Sequence, residues 1–69
     1  MKNRLLEVRK EKKKSQGDLA QAAGVTRQAI SLYERGDREP KLDTWQKLAD
    51  ALGVSVPYLQ GLDELVPNA

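Results

Sequence analysis

The side chains that could do chemistry are concentrated near the middle of the chain. Thr26, Arg27 and Gln28 are followed one helical turn later by Ser31 and Leu32. An arginine can donate a pair of hydrogen bonds to guanine O6 and N7, and a glutamine can pair similarly with adenine N6 and N7. Leu32 is either a contact for a thymine methyl group or an ordinary exposed or core-edge leucine. Without further context, these residues are more typical of a solvated helix face.

The composition excludes most catalytic chemistry. The chain has 69 residues, with no cysteine and no histidine. Zinc sites normally use these residues, and the common Ser-His and Cys-His nucleophiles require histidine. We therefore expect no catalytic residues, no metal site and no cofactor. The apolar share of 39% and the charged share of 32% are typical of one small globular domain. No apolar run is long enough for a membrane span or a signal peptide, so we expect a cytoplasmic protein.

Charge is distributed unevenly along the chain. Residues 1–41 contain eleven Lys/Arg and six Asp/Glu, whereas residues 42–69 contain one lysine and four acids. The net charge of +2 therefore combines +5 in the first part with −3 in the second. This asymmetry favours a polyanionic partner for the N-terminal part, although a solvated charged surface would give the same pattern.

The spacing of apolar residues predicts five short helices and no strands. They run from about residue 3 to 13, from Ser15 to Gly24, from Thr26 to Gly36, from residue 42 to 52, and from Ser55 onward. The serine or threonine at three of these starts is a good N-cap, and a glycine suits the left-handed end of a helix. We predict an all-α, compact five-helix bundle, with one domain over residues 1–62 and a short C-terminal tail over 63–69.

Apolar stripes predict which helix faces turn inward. The predicted inner faces of the fourth and fifth helices comprise Leu42, Trp45, Leu48, Ala49, Leu52, Val56, Leu59 and Leu62. Because Trp45 lies on such a stripe, as does Tyr33 in the third helix, core packing is a better interpretation than base stacking.

The connection between the second and third helices favours a helix-turn-helix. A turn of two residues forces the helices to cross steeply. Ala20 is small where the helices approach, Gly24 permits a left-handed turn, Val25 fills the corner and Ile30 anchors the third helix. Other helix–helix corners share part of this pattern.

Two charged residues are predicted to lie on inner faces. Arg9 shares a face with Leu5, and Glu34 shares one with Ile30. Since unpaired buried charges are costly, we expect Arg9 and Glu34 to form a structural ion pair. The alternative is that Arg9 contacts a DNA phosphate, and both roles are compatible.

The run from Ser15 to Gly36 resembles the helix-turn-helix of the Cro/CI (XRE) family, which includes lambdoid phage repressors. The similarity continues through Pro40, the Trp45 stripe and the segment 52–55, and covers about residues 3–62. The resemblance implies a five-helix DNA-binding domain that usually acts as a two-fold dimer. It implies base or adjacent backbone contacts for Thr26, Arg27, Gln28, Ser31 and Leu32, and phosphate contacts for Gln16, Arg38 and Lys41.

Three residues depart from the family pattern. Lys14 stands where the family usually has a large apolar residue, so its aliphatic stem is expected to cover the core. Gly17 replaces a helix former near the start of the second helix and should cost about 1 kcal/mol relative to alanine. Lys41 stands where a capping residue is common, which weakens the start of the fourth helix.

The resulting hypothesis is a sequence-specific regulator of transcription, a repressor, that binds double-stranded DNA. Residues 26–34 would enter the major groove of a palindromic operator. Homodimerisation is expected through the fifth helix and the tail, with Val56, Tyr58, Leu62 and Leu65 as candidates. The alternative is an antitoxin or a protein-interaction head whose main partner is another protein. A fragment of a longer repressor is also compatible with the sequence.

Overall fold

A computed structural model describes residues 3–62, which form five helices and no strands. The helices are α1 (Leu5–Glu11), α2 (Gln16–Ala23), α3 (Arg27–Arg35), α4 (Leu42–Leu52) and α5 (Val56–Gln60). The predicted all-α architecture is confirmed. The predicted tail over 63–69, with Leu65, lies outside the described residues. Within residues 3–62, no helix combines the length and the apolar character needed to cross a bilayer.

Three helices begin at the predicted N-caps. The Ser15 hydroxyl accepts a hydrogen bond from the Asp18 N–H at 2.9 Å, and the Asp18 carboxylate accepts one from the Ser15 N–H at 2.9 Å. This reciprocal pair is a capping box, and the hydrogen bond from the Ser15 backbone lowers the pKa of Asp18 below its ordinary value. The Thr26 and Ser55 side chains cap α3 and α5 in the same manner, with a single bond each. By contrast, Lys41 makes no side-chain cap at the start of α4.

The α2–α3 connection has the predicted geometry. Gly24 adopts a left-handed conformation with φ of 70°, which glycine tolerates better than other residues. The next N–H, that of Val25, donates to the Ala20 carbonyl at 2.9 Å and closes the turn. Ala20 and Ala23 are buried, and Val25 packs against the core. The small side chains therefore let α2 and α3 cross closely.

All five helices contribute to one hydrophobic core. The largest fully buried side chains are Leu5, Val8, Leu19, Ile30, Leu48 and Leu59. Tyr33 and Trp45 are buried in the same cluster, as expected for core aromatics. Helix α2 packs against α3 and α4, while α1 and α5 close the opposite side.

Two predicted core positions are wrong. Leu42 is 72% exposed because it is the first residue of α4, at the open end of the helix. Leu62 is 50% exposed because α5 ends at Gln60, so helical spacing no longer places it on the inner face. Lys14 is exposed, and the cover of the core by its aliphatic stem stays a prediction.

The start of the described chain is fixed by contacts that sequence spacing did not predict. The Asn3 amide donates to the Tyr33 carbonyl at 3.0 Å, and its oxygen accepts from the Leu5 N–H at 2.9 Å. The Arg4 guanidinium donates to the Tyr58 carbonyl at 2.8 Å and lies 4.4 Å from the centre of the Tyr58 ring. These bonds hold the N-terminal end of α1 against α3 and α5.

Candidate nucleic-acid interface

Helix α3 has one buried and one accessible face. Its buried face carries Ala29, Ile30 and Tyr33, which hold the helix on the core. On the other side Arg27 and Gln28 are exposed in the first turn. The structure therefore brings the amide and guanidinium groups together at the N-terminal end of α3, where a helix in a major groove contacts base edges.

The remaining candidates, Thr26, Ser31 and Leu32, are partly engaged within the protein or less exposed. Thr26 is exposed, but its hydroxyl oxygen already accepts from the Ala29 N–H at 3.0 Å. The hydroxyl proton is still available to an external acceptor. Ser31 and Leu32 are half-buried, and Leu32 is not part of the hydrophobic core of the described residues. An external contact by Leu32 is therefore compatible with its surroundings.

Behind this face, the structure brings Arg9 and Glu34 into the expected ion pair. The Arg9 Nε pairs with Glu34 Oε2, and the side chains are 13% and 5% exposed. Arg9 Nη1 also donates to the Lys14 carbonyl at 3.0 Å. Because both charges are compensated in a largely dry site, the pair ties α1 to α3 and to the segment before α2.

Gln16 is a third member of this cluster, which the sequence did not predict. Its Nε2 donates to Glu34 Oε1 at 2.9 Å. A glutamine amide nitrogen has two hydrogens, so one remains available to an external acceptor at the start of α2. Glu34 therefore positions both Arg9 and Gln16. We did not predict this contact, because Gln16 is uncharged and only the opposite charges of Arg9 and Glu34 indicate a pair in the sequence.

A second unpredicted contact places Arg27 against α2. A Cβ atom added to Gly17 would lie 2.9 Å from Arg27 Nε and 3.0 Å from Nη2. The guanidinium thus occupies the space that any other residue at position 17 would fill. Within residues 3–62, Arg27 has neither a hydrogen-bond nor a salt-bridge partner. Its donors are therefore available to an external acceptor.

The loop between α3 and α4 supplies the other basic candidates. Arg38 and Lys41 are exposed, whereas Pro40 between them is buried. Both basic residues line an open groove of about 410 Å³ beside the α2–α3 turn. Glu39 and Asp43 line it too, so the local charge is mixed. Arg38 and Lys41 therefore place positive charges on the loop after α3, whereas Gln16 lies at the start of α2.

Two closely packed helices, a short left-handed turn between them and an exposed polar face on the second helix define a helix-turn-helix protein. Residues 5–59 match the helix-turn-helix family. The chain belongs to this family, in its Cro/CI (XRE) group, as the sequence pattern predicted.

Individual relatives are described as a transcriptional regulator and a repressor. The HTH-type transcriptional regulator YqaE of Bacillus subtilis is 42% identical over 55 residues, which cover 80% of this chain and 47% of the relative. The immunity repressor protein of Bacillus phage phi105 is 35% identical over 63 residues, covering 91% and 44%. The chain spans about half the length of the curated relatives it matches.

A solved structure has the same fold. The restriction-modification controller protein C.AhdI from Aeromonas hydrophila superposes with a TM-score of 0.74 at 38% sequence identity. The match covers 80% of this chain and 83% of that protein.

Proposed function

We propose that this chain is a sequence-specific double-stranded DNA-binding module of a transcription regulator, acting as a repressor. The observation that carries the proposal is the free polar face of α3. Arg27 and Gln28 are exposed at its N-terminal end, while the opposite face is buried. Together with Thr26, Ser31 and Leu32, they would contact base edges and the adjacent backbone in the major groove.

Phosphate contacts would hold α3 in its register. Gln16 has a free N–H beside the start of α2, where helix N-termini favour anions. Arg38 and Lys41 would contact phosphates from the loop after α3. Arg9 has three of its five N–H donors committed to Glu34 and Lys14. Its main proposed role is therefore to hold Glu34, which in turn binds Gln16, and any phosphate contact is limited to the remaining donors.

A homodimer on a palindromic operator would raise the affinity. One such module buries only about 600–1,000 Å² on DNA, so a single copy should bind weakly. Two copies would place their α3 helices about one helical turn of DNA apart. Of the proposed contact residues, Leu62 is half exposed, whereas Val56 and Tyr58 partly pack on their own core. Leu62 is therefore the strongest of the described candidates.

The alternative is a protein whose main partner is another protein, such as an antitoxin. The names of the matched relatives favour a regulator of transcription instead. With this function, the chain would act in the cytoplasm, where bacterial and phage DNA is accessible.

Selection of bound sites from random duplex DNA tests the proposal. We expect enrichment of a palindromic motif whose half-sites are about 10 base pairs apart from centre to centre. A duplex of the same base composition in scrambled order supplies the control. If no duplex sequence is enriched, the proposed function is wrong.

A further inference from the structure

Gly17 is the glycine in the described chain whose backbone does not require glycine. Gly24, Gly36, Gly53 and Gly61 have φ between 70° and 79° and end helices. Gly17, by contrast, lies in the first turn of α2 without a positive φ. Alanine is more stable than glycine at an ordinary helical position. The use of glycine here therefore needs another explanation.

The space beside Gly17 is occupied by Arg27. A Cβ at position 17 would meet Nε at 2.9 Å, Nη2 at 3.0 Å and Cζ at 3.2 Å. All three atoms belong to the guanidinium plane, so this plane lies against the α2 backbone. Any side chain at position 17 would displace the guanidinium from this location.

Packing against α2 and attraction to the Asp18 carboxylate, rather than hydrogen bonding, favour this position of Arg27. No protein acceptor in the described part of the chain takes its N–H groups. A long side chain that must become ordered on binding lowers affinity, whereas one that is already ordered avoids this loss. Contact with α2 can therefore orient Arg27 without committing its N–H groups to a protein acceptor.

We propose that Gly17 is a positioning residue for Arg27: because it has no side chain, it lets the guanidinium lie on α2 and orients it toward its base pair. This inference rests on the proposed function, since it assumes that Arg27 contacts a base. The preference of Arg27 for that base pair over others depends on Gly17, although Gly17 makes no base contact itself.

The test is a double-mutant cycle on the enriched duplex and on duplexes altered at single base pairs. Arg27→Ala identifies the base pair whose recognition depends on Arg27, and it should lower the affinity for the preferred sequence by about 5- to 150-fold. Gly17→Ala in the presence of Arg27 should reduce the preference at that base pair by about 2- to 12-fold, the effect of leaving one long side chain unordered. In the Arg27→Ala background, Gly17→Ala should have no effect on the preference.

A matched control changes the helix propensity of α2 elsewhere. Ala22 is exposed in the middle of α2, and Ala22→Gly makes the reverse exchange away from Arg27. It should leave the base preference unchanged. If Gly17→Ala has no effect, tightens binding, or weakens all duplexes equally in both backgrounds, the proposal is wrong.

A measurement without DNA separates this inference from the proposed function. In the free protein, nuclear Overhauser contacts should join the Gly17 Hα atoms to the Arg27 side chain. Their absence would overturn the positioning role even if the wild-type protein selects a DNA motif. Failure of the wild-type protein to select any duplex would instead overturn the proposed function.

Discussion

Arg9 and Arg27 lie in opposite kinds of surroundings. The Arg9 side chain is 13% exposed, is paired with Glu34 and also donates to the Lys14 carbonyl. Arg27 is exposed, has no hydrogen-bond or salt-bridge partner among residues 3–62 and lies beside Gly17. The same residue type therefore stabilises the fold at one position and remains available for an external acceptor at the other. Partners and burial, rather than residue type, therefore decide whether an arginine is committed to the fold or available to an external acceptor.

Removing Glu34, the partner of Arg9, should have the largest effect of the substitutions, and this effect is on stability. Glu34→Ala leaves Arg9 largely buried without its counter-charge, so we expect a loss of about 3–5 kcal/mol in the free energy of unfolding. Thermal or urea denaturation measures this loss. The matched control is Asp37→Ala, which breaks the exposed Arg35–Asp37 pair of 3.1 Å and should cost about 0–1 kcal/mol. Equal effects of the two substitutions would contradict the structural role of Arg9.

Arg27→Ala and Gln28→Ala should weaken DNA binding and leave the stability of the fold nearly unchanged. Each should cost about 1–3 kcal/mol in binding to the selected duplex and relax specificity at one base pair. Because both side chains are exposed, the free energy of unfolding should change by less than about 0.5 kcal/mol. Binding titrations on the selected and singly altered duplexes measure the effect. A uniform loss across all sequences would instead identify backbone contacts.

Ser15→Ala should affect the surroundings of both Arg9 and Arg27. The first turn of α2 carries Gln16, which binds the Glu34 partner of Arg9, and Gly17, which lies beside Arg27. Loss of the cap should reduce the free energy of unfolding by about 0.5–2 kcal/mol. Chemical denaturation measures it, and binding to the selected duplex should weaken in parallel. Gln21→Ala, an exposed change later in α2, is the control and should be neutral. Destabilisation by the control of equal size would rule out a specific capping effect.

Lys41→Ala tests an exposed cation without base specificity. If Lys41 contacts one phosphate, its removal should lower the slope of log affinity against log salt concentration by about one, equally on all duplexes. Binding at several salt concentrations measures the slope. Lys10→Ala, an exposed lysine on α1 outside the proposed interface, should leave the slope closer to its original value. A sequence-dependent loss with Lys41→Ala would contradict the phosphate assignment.

The smallest expected effect is the titration of Asp18. Its hydrogen bonds from Ser15 lower its pKa below the ordinary value of 3.8. The folded state therefore gains stability above this value and loses it as the pH falls through the lower folded-state pKa. Urea denaturation between pH 5 and pH 3, at about one-unit steps, should show a smaller loss in Asp18→Asn than in the wild-type protein. An identical pH dependence would contradict the capping-box contribution.

Local signals predicted most of the fold. Ser15, Thr26 and Ser55 cap helices at the predicted positions because capping depends on residues only three apart. The Leu42 and Leu62 predictions failed because helical spacing does not specify where neighbouring elements end.

The supporting contacts of the candidate site were less predictable. Gln16 with Glu34 and Gly17 with Arg27 join different helices, so their distances depend on the crossing angle of those helices. The sequence identified Gly17 as unusual, but only three-dimensional packing showed which side chain uses the space.

The contact between Arg4 and Tyr58 has a consequence for folding and local opening. It joins residues 54 apart in sequence, whereas α2 and α3 meet through a three-residue connection. Closing the longer loop loses more chain entropy, so this contact should form after the α2–α3 unit. The N-terminal end of α1 and helix α5 should consequently open together, with matching hydrogen-exchange rates for the amides of Arg4 and Leu59 and slower exchange within α3.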